Sequence, residues 1–440
     1  MSEVAKKIEQ LKQSFSFNNK EEENEFFRKN SYLFATTSAS LFRLMPQIPY
    51  TEHKSIFQKL LHNLQLLDIE EQNPTFFAPH FEVVDEDNIL EQTRNGKPFL
   101  FCCFHLGAYS LLPTLFTYND LEFGFLLNET LHQRKANIFS EAHKNLCIQI
   151  GKQEKTSVTS KMHLINVEEK KGIWQAIKML KEGKSLIVYP DGNISSNNSN
   201  KQSKNLANIQ FLSEDLMVRQ GVAFLSYLCD VPIVPVISSR IYAKGIKTIK
   251  RKFEFLPSIY TQKNNVSKEE YSAQTMQKLY AILESEVIKN SKNTSLMGEW
   301  EGWIFVNKFF KQIQKDISKT NRKMSLSNKE NVSYVFNEER FALIENLKDK
   351  SKNILFDKFT HRFFPASELL CEIITYFFEP KKLYLFDKTN NNNNLVVGKY
   401  SPISTETDAV FCSPNSKLEI AGTLISMGML DKLIEKGILI

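Results

Sequence analysis

The sequence predicts an α/β protein, a mixed, mainly parallel sheet flanked by helices, followed by a small C-terminal α+β domain. Three observations predict it. Apolar runs at 98–104, 185–189 and 231–238 are continuous rather than alternating, the pattern of strands buried on both faces. Apolar residues at helical spacing precede the second and third runs, which gives the helix–strand alternation of a parallel layer. A stretch rich in Lys, Asn and Ser near residue 320 then sets a further segment apart.

The elements follow in order. Residues 1–75 form an N-terminal helical segment, because Ile8, Leu11 and Phe15, then Phe26, Phe27 and Phe34, then Leu60, Leu61, Leu64 and Leu67 recur at helical spacing. Asn95-Gly96 signals a turn before PFLFCCF at 98–104, and Gly107 with the apolar positions after it predicts a helix starting just past that strand. Ile173, Trp174, Ile177 and Leu180 share one helical face, Gly183 is placed to cap that helix, and SLIVY at 185–189 is the strand it feeds. Pro190-Asp191-Gly192 stops the strand. Val222, Leu225, Tyr227 and Leu228 form the next helix, ended by Asp230, before VPIVPVIS at 231–238. The α/β domain is thus expected over 76–312, with a linker at 313–332. The last domain, 333–440, is interrupted by five consecutive Asn at 390–394, expected as a loose loop. Its end, AGTLISMGMLDKLIEKGILI, reads as one or two helices, a turn at Lys436-Gly437 and a short apolar strand, which is how a winged-helix-like domain closes.

Composition narrows the function. Hydrophobic residues at 42%, with 34 Phe, supply a core, and 24% charged residues exclude a wholly disordered chain. A net charge of +6 over 440 residues is too small to mark a nucleic-acid binder, so no nucleic-acid partner is expected. The Lys-rich stretches at 153–171 and 244–252 read as solvated faces, or as surfaces for an acidic carrier or the phosphate of coenzyme A. The longest apolar window, Pro98–Phe116, holds His105, Ser110 and two Pro, so no membrane span is expected. The opening MSEVAKKIEQLKQSF has no apolar signal-peptide core, and the expected location is cytoplasmic, with peripheral contact at the inner face of the membrane left open. Cys102, Cys103, Cys147, Cys229, Cys371 and Cys412 form no C-x-x-C pair and are expected as core residues, and no metal site is expected.

Two places carry chemistry. His105 lies just past a buried strand, at the carboxyl edge where open α/β sheets bind ligands, and an imidazole there suits a general base near neutral pH. The bland alternative is a histidine that bonds backbone at a strand end. YPDG at 189–192 makes a tight turn that aims Asp191 and exposed N–H groups at one point, or is an ordinary Pro-Asp-Gly turn. There is no G-x-S-x-G elbow, so Ser110 is not expected as a hydrolase nucleophile, and no G-x-G-x-x-G, Walker A or H-E-x-x-H occurs.

FHLGAYS at 104–110, KEGKSLIVYPDGN at 181–193 and IQFLSEDLMVRQGVAFLSYLCDVPIVPVIS at 209–238, taken in that order and spacing, resemble the lysophospholipid acyltransferase superfamily. They look most like the branch of the late lauroyl and myristoyl acyltransferases of lipid A biosynthesis, over residues 80–310. The resemblance implies a glycerol-3-phosphate acyltransferase-like fold with His105 as general base. It carries Asp191, Gly192 and Asn193 onto the strand-acid-Gly block, Arg219 and Gly221 onto the substrate-binding block, and Trp300 and Trp303 onto a Trp-rich segment. The family motif has a carboxylate five residues after the histidine, where this chain has Ser110. Three outcomes follow: another acid, Asp191 or Glu299, fills the role; Ser110 orients the ring; or catalysis is lost and acyl binding kept.

The implied reaction moves a fatty acyl group from a thioester, on acyl carrier protein or coenzyme A, to a hydroxyl or amine acceptor. That acceptor is a lipid, a peptide or a carrier-bound intermediate of natural-product biosynthesis. No permanently bound cofactor is implied. The alternatives are a non-catalytic acyl-chain or carrier-protein binding module, and a peptide-recognition adaptor acting through the C-terminal domain, which resembles winged-helix domains that recognise leader peptides.

Overall fold

The computed structural model describes residues 2–154, 161–192, 206–241, 250–261, 266–291, 294–306, 332–346, 349, 352–378, 381–385, 409–412, 417–420, 423–426 and 432–440. The chain groups into two compact units, Met1–Phe26 with Thr36–Gln312, and Phe27–Ala35 with Ile313–Ile440. The expected linker at 313–332 and the run of Asn at 390–394 lie outside the described residues, apart from the first residue of one strand at Val332.

Helices open the chain: α1 (Glu3–Ser14), α2 (Lys20–Lys29), α3 (Ser31–Leu44), α4 (Tyr50–Gln72) and the single turn α5 (Pro74–Phe77). Ser2 starts α1 by accepting the Ala5 N–H at 3.2 Å. Along α4, Ile56, Phe57, Leu60, Leu61, Leu66 and Leu67 are buried at helical spacing, and so is Glu70. The α/β layer then runs β1 (Phe81–Val84), α6 (Ile89–Arg94), β2 (Leu100–Cys103), α7 (Leu112–Tyr118), β3 (Phe123–Leu127), α8 (Glu129–Glu154), β4 (Met162–Asn166), α9 (Lys170–Lys181) and β5 (Ser185–Val188). After it come a hairpin of β6 (Leu206–Phe211) and β7 (Glu214–Arg219), then α10 (Gly221–Cys229), β8 (Ile233–Ile241), β9 (Lys250–Phe255), α11 (Lys268–Ser291) and the single turn α12 (Thr294–Met297).

Seven strands make one sheet in the order β1-β9-β8-β2-β5-β3-β4. All neighbours are parallel except β8 and β9. This is the mixed, mainly parallel sheet that the apolar runs predict. Phe99, Phe101, Phe116, Phe123 and Phe253 are fully buried in the core against it, and Phe101 meets Phe116 edge-on at 4.7 Å. Among the described residues no helix is long and apolar enough to cross a membrane.

In the second unit, β10 (Val332–Tyr334) is followed by an antiparallel meander of β11 (Phe341–Ile344), β12 (Ile354–Asp357) and β13 (Arg362–Pro365). Then come α13 (Glu368–Tyr376), β14 (Lys381–Leu385), β15 (Ala409–Cys412), β16 (Lys417–Ile420) and β17 (Thr423–Ser426). Phe336, Phe341, Ile373, Ile374, Phe377 and Leu439 share its core. Residues 432–435 are helical, Gly437 turns the chain at φ +69°, and Leu439 bridges to Phe336. Between 332 and 440 the described residues hold eight strands and one helix longer than a turn, so the helix pair of a winged-helix domain is not among them.

Three local expectations need correction. No helix starts at Gly107: a short 3-10 turn, Tyr109–Leu111, intervenes, and α7 begins only at Leu112. The residues between are engaged in backbone pairing with 299–301, which prevents helical hydrogen bonding there. Ile177 and Leu180 are buried on α9 as expected, but Ile173 and Trp174 are not, being 37% and 73% exposed, because the buried stripe is completed by Ala176 and Met179. Thr423–Ser426 is a strand rather than helix, paired with Lys417–Ile420, as its β-branched Thr and Ile favour.

Gly107 is the tightest point of the fold. Its φ is +63°, and a Cβ there would stand 2.5 Å from the Ser238 carbonyl oxygen. Gly107→Ala is expected to destabilise the protein by about 2–4 kcal/mol, the sum of left-handed strain and a backbone clash, read as a lower urea midpoint at unchanged slope. A loss below about 0.5 kcal/mol contradicts this account of the turn.

Candidate active site

The site grows from one register. β2 and β5 are adjacent and parallel, with Leu100 opposite Leu186, Phe101 opposite Ile187 and Cys102 opposite Val188. Carried three residues further, the same offset puts His105 beside Asp191, at the carboxyl edge of the sheet. Asp191 is 1% exposed. Its carboxylate accepts the His105 backbone N–H at 3.2 and 3.1 Å, the Trp300 indole N–H at 3.2 Å and the imidazole Nδ1 at 2.9 Å. An ionised carboxylate only accepts, so Nδ1 carries the hydrogen and Nε2 is left as an acceptor.

A second segment holds the histidine from the other side. Gly107 N–H donates to the Glu299 carbonyl at 3.0 Å, Glu301 N–H to the His105 carbonyl at 2.9 Å, and Leu106 bridges Trp300. The Trp300 ring is fixed edge-on against Phe211 at 5.4 Å and Trp303 at 4.8 Å. Around the imidazole stand Tyr109, Tyr189 and Phe305, with ring centroids at 4.6, 5.2 and 5.9 Å. Tyr109 donates to Glu301 Oε2 at 2.5 Å, and Tyr189 donates to the Tyr109 carbonyl at 2.9 Å. Burial pushes both phenols well above their ordinary range, so they remain donors at any working pH.

Two effects compete on His105. Burial disfavours the charged ring, while the charge and hydrogen bond of Asp191, helped by Glu301, favour it more, and its pKa is raised above 6.5. Glu71 sits near Glu301, its carboxyl pushed up by burial and drawn back by Lys135.

A family model described as bacterial lipid A biosynthesis acyltransferase matches residues 41–293. The chain belongs to that family. No curated protein matches the sequence closely enough to count as a relative. Acyl transfer is therefore the general activity, and an acyl donor and a lipid acceptor its general substrates. The match ends before Glu299–Glu301, so in this acyltransferase the segment that braces His105 and Asp191 lies beyond the matched residues.

Against the expected site residues the outcome is uneven. His105 and Asp191 meet directly. Gly192 is adjacent, since a Cβ there would lie 3.5 Å from imidazole Cε1. Ser110 is buried on the 3-10 turn with its hydroxyl unbonded, and it makes no hydrogen bond to His105, so the acid beside the ring is Asp191. Glu299, the other candidate acid, is instead ion-paired with Arg240 at 2.7 Å and Lys59 at 3.2 Å. Arg219 ends β7 opposite Leu206 and Gly221 opens α10, and neither bonds to His105 or Asp191. Asn193 lies outside the described residues. Trp303 donates to the Met297 carbonyl at 2.8 Å. Sequence reasoning gave no role to Tyr109 and Tyr189, although they lie within the FHLGAYS and YPDG runs, and it missed Glu301 beside the singled-out Trp300.

The raised pKa has a consequence for stability. Folded His105 binds its proton more tightly than the unfolded ring does, so the pairing stabilises fully below pH 6.5 and fades as pH rises through the folded value. His105→Gln should therefore cost more stability at about pH 5.5 than at about pH 9, measured by urea unfolding of both proteins. An equal or larger loss at the alkaline pH contradicts the pairing.

Proposed function

We propose that this family member moves a fatty acyl group from a thioester donor, on acyl carrier protein or coenzyme A, to a hydroxyl or amine on its acceptor, with His105 as general base. The observation that carries the proposal is the His105 Nδ1–Asp191 Oδ1 bond of 2.9 Å, which leaves Nε2 facing away from its partner acid at the sheet edge. In this reading the acceptor's nucleophile gives its proton to Nε2 as it attacks the thioester carbonyl. Asp191 holds the tautomer and stabilises the imidazolium that forms, the role the family assigns to a carboxylate at the position of Ser110. The imidazolium then returns the proton to the departing thiolate.

Local packing supports the assignment. Gly192 leaves the approach to Cε1 free of a side chain. Tyr109, Tyr189 and Phe305 wall the ring with aromatic surface, which lowers the local dielectric and strengthens the Asp191 interaction. A module that only bound acyl chains would have no use for a buried carboxylate bonded to one imidazole and braced by the Trp300 indole.

His105→Ala should lower thioester-dependent acyl transfer by about 10²–10⁴-fold, measured as thiol release coupled to acceptor acylation. An unchanged rate removes His105 from the mechanism. Asp191→Asn should lower the rate by a similar order and, because it removes the negative charge that raises the imidazole's pKa, move the ascending limb of the pH–rate profile to lower pH. A limb that stays in place or moves to higher pH contradicts the role given to Asp191.

A further inference from the structure

The carboxyl edge of the sheet carries an apolar and basic rim besides His105 and Asp191. β4 ends at Asn166, and the chain turns at once into α9, where the Asn166 carbonyl stands so close to Gly172 that no Cβ would fit. The opening turn of α9 is thus pinned to the end of a strand parallel to its neighbour, at the edge where the site lies. Ile173 and Trp174 stand exposed on that turn, and α10, packed beside α9, adds the exposed Phe224 and Leu228. Lysines surround these side chains. Lys171, Trp174, Lys178 and Lys181 recur at helical spacing on the exposed face of α9, away from the buried Ala176, Met179 and Leu180. Lys268 lies over the Phe224 ring at 5.6 Å. Of the acids nearby, Glu168 and Glu169 accept from the Glu129 backbone and the Asn166 side chain. Glu182 and Glu269 are exposed partners of Lys178 and Lys268, at 3.7 and 3.2 Å, in pairs of the kind that contribute little in water.

We propose that this face of α9 and α10 docks on the surface of an anionic phospholipid bilayer and so brings the carboxyl edge of the sheet up to the lipid. The proposal draws on the family's lipid acceptor and not on the role given to His105. A Trp left this exposed forgoes the burial of a large apolar ring in water, whereas at the headgroup level its ring is covered and its N–H stays hydrated. The lysine stems lie along apolar surface while their ammonium groups reach lipid phosphates, which can replace the exposed Glu182 and Glu269 as partners. A helix with lysines and an aromatic ring along its open face is built to lie in the plane of that interface. Four apolar side chains set among the lysines fit a partner that offers hydrocarbon and phosphate together better than one that offers acid alone.

The test mixes the full-length protein with vesicles of phosphatidylcholine, with or without phosphatidylglycerol, and reads flotation and tryptophan emission. Trp174 is the reporter, because the chain has three Trp and the other two, Trp300 and Trp303, are buried. In the free protein acrylamide should quench a signal that Trp174→Phe lacks. Vesicles containing phosphatidylglycerol should carry the protein on flotation, shift that signal to the blue and shield it, and added salt should weaken the binding. Trp174→Ala, and Lys171→Glu combined with Lys178→Glu, should each weaken binding by about tenfold or more. No flotation with the anionic vesicles, equal binding to phosphatidylcholine alone, or binding unmoved in both variants overturns the proposal. So does a blue shift produced by acyl carrier protein and not by vesicles. Binding is read without turnover, so its failure leaves the acyl-transfer reading standing, and a failure of that reading leaves the docking surface standing.

Discussion

A buried ion network beneath the sheet edge is what the site rests on. Glu70 of α4 receives Arg240 at 2.7 Å and Arg251 at 2.9 Å, and Glu299 receives the other arm of Arg240 at 2.7 Å and Lys59 at 3.2 Å. Burying such charges is costly, and losing one partner of a buried pair costs about 3–5 kcal/mol because its neighbour is stranded. The shared guanidinium of Arg240 limits that cost, and Arg251 gains a further contact by lying over the Phe77 ring at 4.2 Å. The network joins α4, β8 and β9 to the segment that begins at Glu299. From there the chain passes two backbone hydrogen bonds to Gly107 and His105 and one indole hydrogen bond to Asp191. The orientation of the imidazole thus depends on charges that never touch it.

The same arrangement explains why a chain with serine at the family's acid position keeps a carboxylate on its histidine. His105 stands two residues past the end of β2 and Asp191 three past the end of β5, and the β2–β5 register continued past the Cys102–Val188 pair brings the two together. Asp191 reaches Nδ1 by sheet geometry, where an acid at position 110 would have to reach it along a turn. Ser110 is then free of that duty and is buried in the middle of the 3-10 turn, its hydroxyl without a hydrogen bond among the described residues. The cost of the Asp191 solution is that a second element must hold the aspartate, and Trp300 does so.

Much of the α/β unit was legible in the amino-acid sequence because continuous apolar runs bounded by Gly, Pro and Asp are hard to place anywhere but in buried parallel strands. His105 and Asp191 were legible for the same reason, each standing at a strand's end. The start of α7 was not, since what delays it is pairing with residues nearly two hundred positions away. Trp174 misled because its spacing fits the helical period while the buried stripe lies to one side of it. The Glu70–Arg240–Glu299 network and the contact of Glu301 with Tyr109 left no local signal at all. Charged residues in a sequence look alike whether solvated or buried, and only the fold brings these together.

Asp191 is expected to set both the tautomer and the proton affinity of His105. Histidine ¹⁵N NMR on the full-length protein, with the signal assigned by its loss in His105→Gln, tests this without a substrate. The account predicts a neutral ring protonated on Nδ1 that titrates above 6.5, and a titration that falls in Asp191→Asn. A ring protonated on Nε2, or one that titrates at or below 6.5 and does not respond to Asp191→Asn, would contradict it.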